Sequence, residues 1–304
     1  MQLQQLVYFV EITELGSINK AAEKLFVTQP SLSKAIANLE DELGVRIFSR
    51  TNRGVALTDE GKKLYQYAHT IINQMELIQG LSTRDVPKVL SIASYPIITM
   101  GRLVSEFYMT HQQEDITIRL SEQRLQQVIE QVESGEAEIG FIMSNNVQTK
   151  EVKHMLNFKN LTFHPLGTDT WYANAGPNCP YYDQDEVTMR QMLQVPFVRM
   201  SDDYFSHLTF YLQIDGVRLT EFHRTIHAND SAAILSLLRS TDAMRFGPGI
   251  STEDFADYGI RTIPIRNCDV RINVGWIQRK REILSREAQD FVKILESLRP
   301  WLKL

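Results

Sequence analysis

The sequence predicts an α/β multidomain chain: an N-terminal winged helix-turn-helix, a long linker helix, and a two-lobed α/β C-terminal region. Three observations carry that expectation. Residues 17–58 read as two short amphipathic helices sharing a tight turn, followed by a small basic hairpin. From Thr58 onward, apolar residues recur at three- and four-residue intervals for about six helical turns. Beyond Pro87, strand-like runs alternate with helical ones, a pattern that argues for parallel sheet.

Residues 2–13 place Leu3, Leu6, Val7, Phe9, Val10 and Ile12 on a helix that is apolar on most sides, a buttress without chemistry of its own. Ser17 suits the N-cap of a second helix bearing Ala21, Ala22 and Leu25, small enough to let another helix approach. Phe26, Val27 and Thr28 form the turn. Thr28 caps the next helix, and Pro30 falls in its first turn, where the missing N–H costs little. Gly44 stops that helix after Leu43. Its apolar stripe is Leu32, Ala35, Ile36, Leu39 and Leu43. The opposite face shows Gln29, Ser31, Ser33, Lys34 and Asn38, hydrogen-bonding groups of the kind that read base edges in a major groove. Then come Arg46, Arg50 and Arg53, with Ile47-Phe48 and Val55-Ala56-Leu57 as strands around a turn at 51–54. The expected DNA contacts are Gln29, Pro30, Ser31, Ser33, Lys34, Asn38, Arg50 and Arg53.

The run AAEKLFVTQPSLSKAIANLEDELGVRIFSRTNRGVALTDEG resembles the DNA-binding signature of the LysR-type transcriptional regulators. That resemblance implies a cytoplasmic regulator of double-stranded DNA, with no catalysis. It makes residues 59–80 a linker helix pairing with its twin in a homodimer, with a homotetramer and an RNA polymerase contact beyond it. Residues 80–87 become the hinge. In dimers of this kind, two recognition helices sit about one DNA turn (~34 Å) apart. The domains are then 1–58, 59–87 and 88–304. The last is a periplasmic-binding-protein-like effector domain whose lobes are 88–162 with 266–304, and 163–265.

Composition agrees with a globular protein: 43 % apolar, 23 % charged, and a formal charge of −5 over 304 residues. Residues 1–87 hold nine Lys or Arg against ten Asp or Glu, so any nucleic-acid surface is local, from Lys34 through Arg53, with Glu40, Asp41 and Glu42 turned elsewhere. No apolar run approaches a membrane span, and the first basic residue is Lys20, so no secretion signal is expected. Two cysteines, Cys179 and Cys268, fit a reducing compartment.

In the C-terminal region, residues 89–93, 116–120 and 138–143 read as strands, with helices at 101–109 and 125–132. Residues 161–168 are expected to cross into the second lobe. There follow a strand at 197–199, a helix at 204–212, a strand at 222–227 and a helix at 231–238. A return through 261–265, a strand at 272–277 and a helix at 287–298 complete the first lobe. Chain crossing twice between α/β lobes leaves a cleft at the strand ends, where small ligands bind. The resemblance places a small-molecule co-inducer there, and no cofactor. Its expected contacts are Ser94, Tyr95 and Thr99 after the first strand; Arg199, Ser201 and Asn229 opposite; and Ser144 and Phe246. Arg199 suits clamping a carboxylate or phosphate.

Gly135-Glu136-Ala137-Glu138 resembles the family's Gly-Glu-x-Asp with Glu138 in place of Asp. Neither cysteine has an activating cation beside it except Arg266, and His223 with His227 lack further metal ligands. No phosphate loop, metalloprotease motif or nucleophile elbow is present. Two other classes stay open: a solute-binding protein, which predicts a secretion signal, and a metabolite enzyme carrying an accessory DNA-binding domain, which needs a catalytic cluster.

Overall fold

The computed structural model describes residues 1–51, 54–80 and 88–303. The chain forms two compact units, Met1–Pro87 and Lys88–Leu304.

The first unit contains α1 (Leu3–Leu15), α2 (Ile18–Lys24), α3 (Gln29–Leu43), β1 (Phe48–Thr51), β2 (Gly54–Leu57) and α4 (Asp59–Gly80). The local signals act as their chemistry requires. Thr28 Oγ1 accepts the Ser31 amide at the start of α3, and Gly44 ends that helix in the left-handed conformation at φ 70°. Phe9, Ile12, Ala21, Ala22, Leu32, Ile36, Leu39 and Ala68 close around a shared core. Leu43 departs from its expected stripe: it is the last residue of α3 and is exposed. Ile47 is no strand residue but a buried plug ahead of β1. Its carbonyl accepts the Thr58 amide at 3.1 Å. A Cβ on Gly61 would stand 2.1 Å from that carbonyl oxygen, so α4 starts this close only because residue 61 is glycine. Along α4, Leu64, Tyr65, Ala68 and Ile72 pack inward, whereas Ile71 and Ile78 are 40 % and 59 % exposed.

The second unit runs β3 (Lys88–Ser94), α5 (Ile98–His111), β4 (Ile116–Glu122), α6 (Leu125–Ser134), β5 (Ile139–Asn145), α7 (Thr149–Phe158) and β6 (Leu161–Ala175). It continues with α8 (Met189–Met192), β7 (Phe197–Arg199), α9 (Ser206–Thr209), β8 (Gln213–Ile214), β9 (Val217–Arg218), β10 (Thr225–His227) and α10 (Ser231–Ser240). β11 (Met244–Pro248), α11 (Thr252–Ala256), β12 (Arg261–Pro264), β13 (Arg271–Arg279) and α12 (Arg286–Glu296) complete it.

The sheet order is β10-β7-β11-β6-β13-β5-β3-β4, with β12 also on β6. The expected parallel sheet is mixed. β3 runs parallel to β4 and β5, but β13 is antiparallel to both β5 and β6, because the strand returning from the second lobe enters in the opposite sense. The expected crossing at 161–168 is instead the first part of β6. That strand pairs with β13 through Thr170, then with β11 from Trp171, so the boundary expected at 162/163 falls inside one strand. The helix expected at 204–212 shrinks to the single turn α9. The strand expected at 222–227 shortens to β10, because Phe222 turns inward against Phe197 at 4.3 Å between ring centroids. Glu138 ties the first lobe together: its carboxylate accepts the amide and hydroxyl of Ser285, the N-cap of α12.

Candidate nucleic-acid interface and ligand cavity

In the first unit, α3 turns Leu32, Ile36 and Leu39 inward. Gln29, Pro30, Ser31, Lys34 and Asn38 are exposed on its other side, and Ser33 is half-buried among them. Gln29 Nε2 donates to Ser33 Oγ at 2.8 Å, and the Thr28 and Ser31 hydroxyls stand 2.8 Å apart. Lys34 has no ion-pair partner among the described residues. Arg50 lies on β1 opposite Val55, and Arg53 lies outside the described residues.

Of the acids expected to turn away from this face, Asp41 and Glu42 are exposed, whereas Glu40 leaves the surface altogether. Glu40 is buried in the joint between α3 and the hairpin. Its Oε1 accepts the amides of Ile47 at 2.9 Å and Phe48 at 3.3 Å, and its Oε2 accepts Arg46 Nη1 at 2.5 Å. Burial pushes the Glu40 carboxyl up; the Ile47 amide, the Arg46 guanidinium and the Phe48 amide outweigh it and hold the group below its ordinary value. Arg46 is thus the ion-pair partner of Glu40 while its side chain stays 76 % exposed. The turn before α3 carries Phe26 at φ 53° with its side chain 96 % exposed.

In the second unit, the lobes enclose a cavity of about 170 Å³. Volumes near ~150 Å³ already accept a benzene-sized molecule. Of the eight residues expected there, Tyr95, Arg199 and Phe246 line it. The other five do not. The Ser94 hydroxyl is buried and donates to the Tyr95 carbonyl, and Thr99 shares a 3.0 Å hydrogen bond with Ser251. Ser144 is buried on β5, and the Ser201 amide donates to Asn229 Oδ1 outside the cavity. Arg199 faces the cavity already engaged: Nη2 donates to Asp202 Oδ1 at 2.6 Å, and the guanidinium carbon lies 5.1 Å from the Phe210 ring centroid.

The cavity's other cations come from places the expectations passed over. Arg124, just before α6, donates from Nη2 to Ser206 Oγ at 2.6 Å and stands 3.5 Å from Asp203. Arg245, on β11, is half-buried and differs in its partners: Nε donates to the Phe246 carbonyl at 2.9 Å, and no carboxylate among the described residues lies within ion-pairing distance. Burial pushes its guanidinium down from the ordinary arginine value. The signal was available in Ala243-Met244-Arg245-Phe246, where a charged residue interrupts an apolar strand. The walls are aromatic: Trp171 stacks on Phe246 at 4.8 Å, and Phe197 meets Phe246 edge-on at the same distance.

Among the described residues, no cluster of three or more His, Cys, Asp or Glu could hold a metal ion, and no helix is long and apolar enough to cross a membrane. Cys179 is buried, which pushes its thiol up, and Cys268 lies 3.7 Å from the Thr170 hydroxyl.

Residues 3–62 match the family described as "Bacterial regulatory helix-turn-helix protein, lysR family", and residues 88–299 match the "LysR substrate binding domain". The nitrogen assimilation regulatory protein nac of Escherichia coli is 45 % identical over 91 residues, which cover 30 % of this chain and 30 % of nac, so the match takes in less than a third of that relative. Full-length CbnR, solved with its target DNA, covers 98 % of this chain and 100 % of its own at 18 % identity and a TM-score of 0.59. LysG of Corynebacterium glutamicum, solved with bound effector Arg, covers both chains fully at 16 % identity and a TM-score of 0.61.

Proposed function

Because the chain belongs to the LysR family of bacterial helix-turn-helix regulatory proteins, we propose that it is a sequence-specific, ligand-responsive transcriptional regulator. The observation that carries this reading is the outward face of α3. A row of hydrogen-bonding side chains around Lys34, which has no ion-pair partner among the described residues, stands opposite a sealed apolar face, and Glu40 ties the helix to the basic hairpin. Base edges are read by Gln29, Ser33, Lys34 and Asn38; Arg50 and Arg53 hold phosphate. Pro30 and Ser31 shape the start of the helix. CbnR's complex with target DNA is a property of that protein; it supports the same role for this face.

Two copies pair through residues 59–80, whose Ile71 and Ile78 are exposed on the long helix, and pairs assemble further into a tetramer. The two-fold arrangement sets the spacing of the recognition helices. The cavity between the lobes receives a small effector, which shifts the assembly only by its differential affinity for two arrangements. Contact with RNA polymerase and a cytoplasmic setting complete the reading.

Footprinting the full-length protein on the DNA upstream of its own gene, with and without a metabolite panel, tests it. A protected pseudo-palindromic segment whose extent changes with one metabolite is expected. Protection that is indifferent to sequence would overturn the DNA reading. A footprint unmoved by every metabolite, together with no thermal stabilisation by any of them, would overturn the ligand reading.

A further inference from the structure

Resting on the reading of the cavity as an effector site, we propose that it selects a small monocarboxylate with a flat apolar body, its carboxylate held by Arg245. Charge comes first. Five charged side chains line the cavity: Arg124, Arg199, Arg245, Asp202 and Asp203. Asp202 pairs with Arg199 and Asp203 with Arg124, which leaves Arg245 uncompensated. Tyr95 and Glu122 act on Arg245 without forming an ion pair with it, and the two Glu122 oxygens already accept the amide and hydroxyl of Ser231 at 2.9 and 2.6 Å. The cavity thus carries one surplus positive charge, the complement of a monoanion.

Geometry narrows the anion. The one hydrogen bond of the Arg245 guanidinium leaves from Nε to Phe246, so both Nη groups lack partners among the described residues. Those two groups form the fork that matches two coplanar oxygens. An arginine stays charged even where its surroundings disfavour it, so Arg245 presents the cavity with a cation whose Nη groups have no partner among the described residues.

The stacked pair of Trp171 and Phe246, crossed by Phe197, offers an aromatic wall suited to a planar body. A phosphate monoester, near −2 at neutral pH and strongly hydrated, fits neither the charge nor the wall. A second observation points to a ligand independently. Asp203, with its side chain 8 % exposed, keeps Oδ2 buried and without a partner, and Arg124 Nε is in the same state. No described residue pairs with this donor or this acceptor, and both belong to side chains that line the cavity, so its wall carries polar groups left over by the fold.

Calorimetric titration and thermal melting of the full-length protein test the assignment with benzoate, 3- and 4-hydroxybenzoate, benzamide, L-arginine and inorganic phosphate as probes. At least one of the acids is expected to bind and raise the melting temperature. Benzamide, arginine and phosphate should bind at least about tenfold more weakly than the acids. Arg245→Gln should lower acid affinity about tenfold or more, and Arg245→Lys should restore only part of it, since an ammonium is a point charge. Should either variant fail to fold, the acid-against-amide comparison on the unaltered protein decides alone. No acid binding at millimolar concentration overturns the assignment, as do benzamide or phosphate binding as tightly as the acids, or acid affinity indifferent to Arg245→Gln. Binding of benzamide or arginine alone overturns the charge assignment and leaves the effector cavity standing, whereas silence from every probe and every metabolite removes both.

Discussion

The amide of Ile47 donates to Glu40 Oε1 across 2.9 Å, so the C-terminal half of α3 and the root of the hairpin are fixed to one buried carboxylate. Helix and hairpin therefore present their polar groups as one surface. Glu40→Ala should cost the first unit about 1.5–3 kcal/mol, since two buried amides lose a charged acceptor. Because the folded carboxyl titrates below its ordinary value of 4.5, its contribution is fully present above that pH and is lost as pH falls through the folded value. Melting curves of both proteins should therefore converge in acid. A constant gap from neutral pH down to pH 3 would show that Glu40 is not the titrating support.

Leu39 is fully buried between α3 and α1. Leu39→Ala should destabilise the first unit by roughly 2–5 kcal/mol. Chemical denaturation followed by far-UV circular dichroism measures this; an unmoved first transition would mean α3 is rolled about its axis.

Ser33 and Lys34 stand on the outward face of α3. Ser33→Ala or Lys34→Ala should cost on the order of 1–3 kcal/mol on the operator and much less on random DNA if the side chain reads a base. Gel-shift titration on both DNAs separates the cases, and equal losses would reassign the residue to the phosphate backbone.

Phe26 occupies the position after the α2 cap, where the left-handed conformation normally selects glycine. Its ring is almost wholly exposed, so no packing offsets the strain. Phe26→Gly should leave stability unchanged or raise it by up to about 1 kcal/mol. A clear loss of stability in thermal melts would reveal a contact the ring makes in the assembled protein.

Ile71 and Ile78 point away from their own unit. Replacing both with Asp should leave the monomer's core intact yet reduce the oligomer, which light scattering after size exclusion reads directly. An unchanged mass would take the long helix out of the subunit interface.

The first unit was legible because its boundaries are written locally. Ser17, Thr28, Pro30 and Gly44 each act through hydrogen bonds or backbone angles within a few residues. Phe26 carried no such signal, since a phenylalanine does not announce a positive φ. β6 was illegible for a different reason. Pro165 and Gly167 break its alternation, and both are tolerated because the register shifts there against Val274 and Gly275, leaving Leu166 as an extra residue. The cavity was only partly legible: loops following strands pointed to Tyr95, Arg199 and Phe246, but Arg124 joins them only through the fold. Which arginine is free depends on who its neighbours are. Arg199 looked like the clamp until Asp202 was found holding it.

β6 is unbroken from Leu161 to Ala175 yet changes ladder partners between Thr170 and Trp171. One strand therefore belongs to both lobes, carrying β13 up to Thr170 and β11 from Trp171 on. Trp171, whose indole forms part of the cavity wall, is the first residue past that exchange, so whatever presses on the ring acts directly on the segment the lobes hold in common.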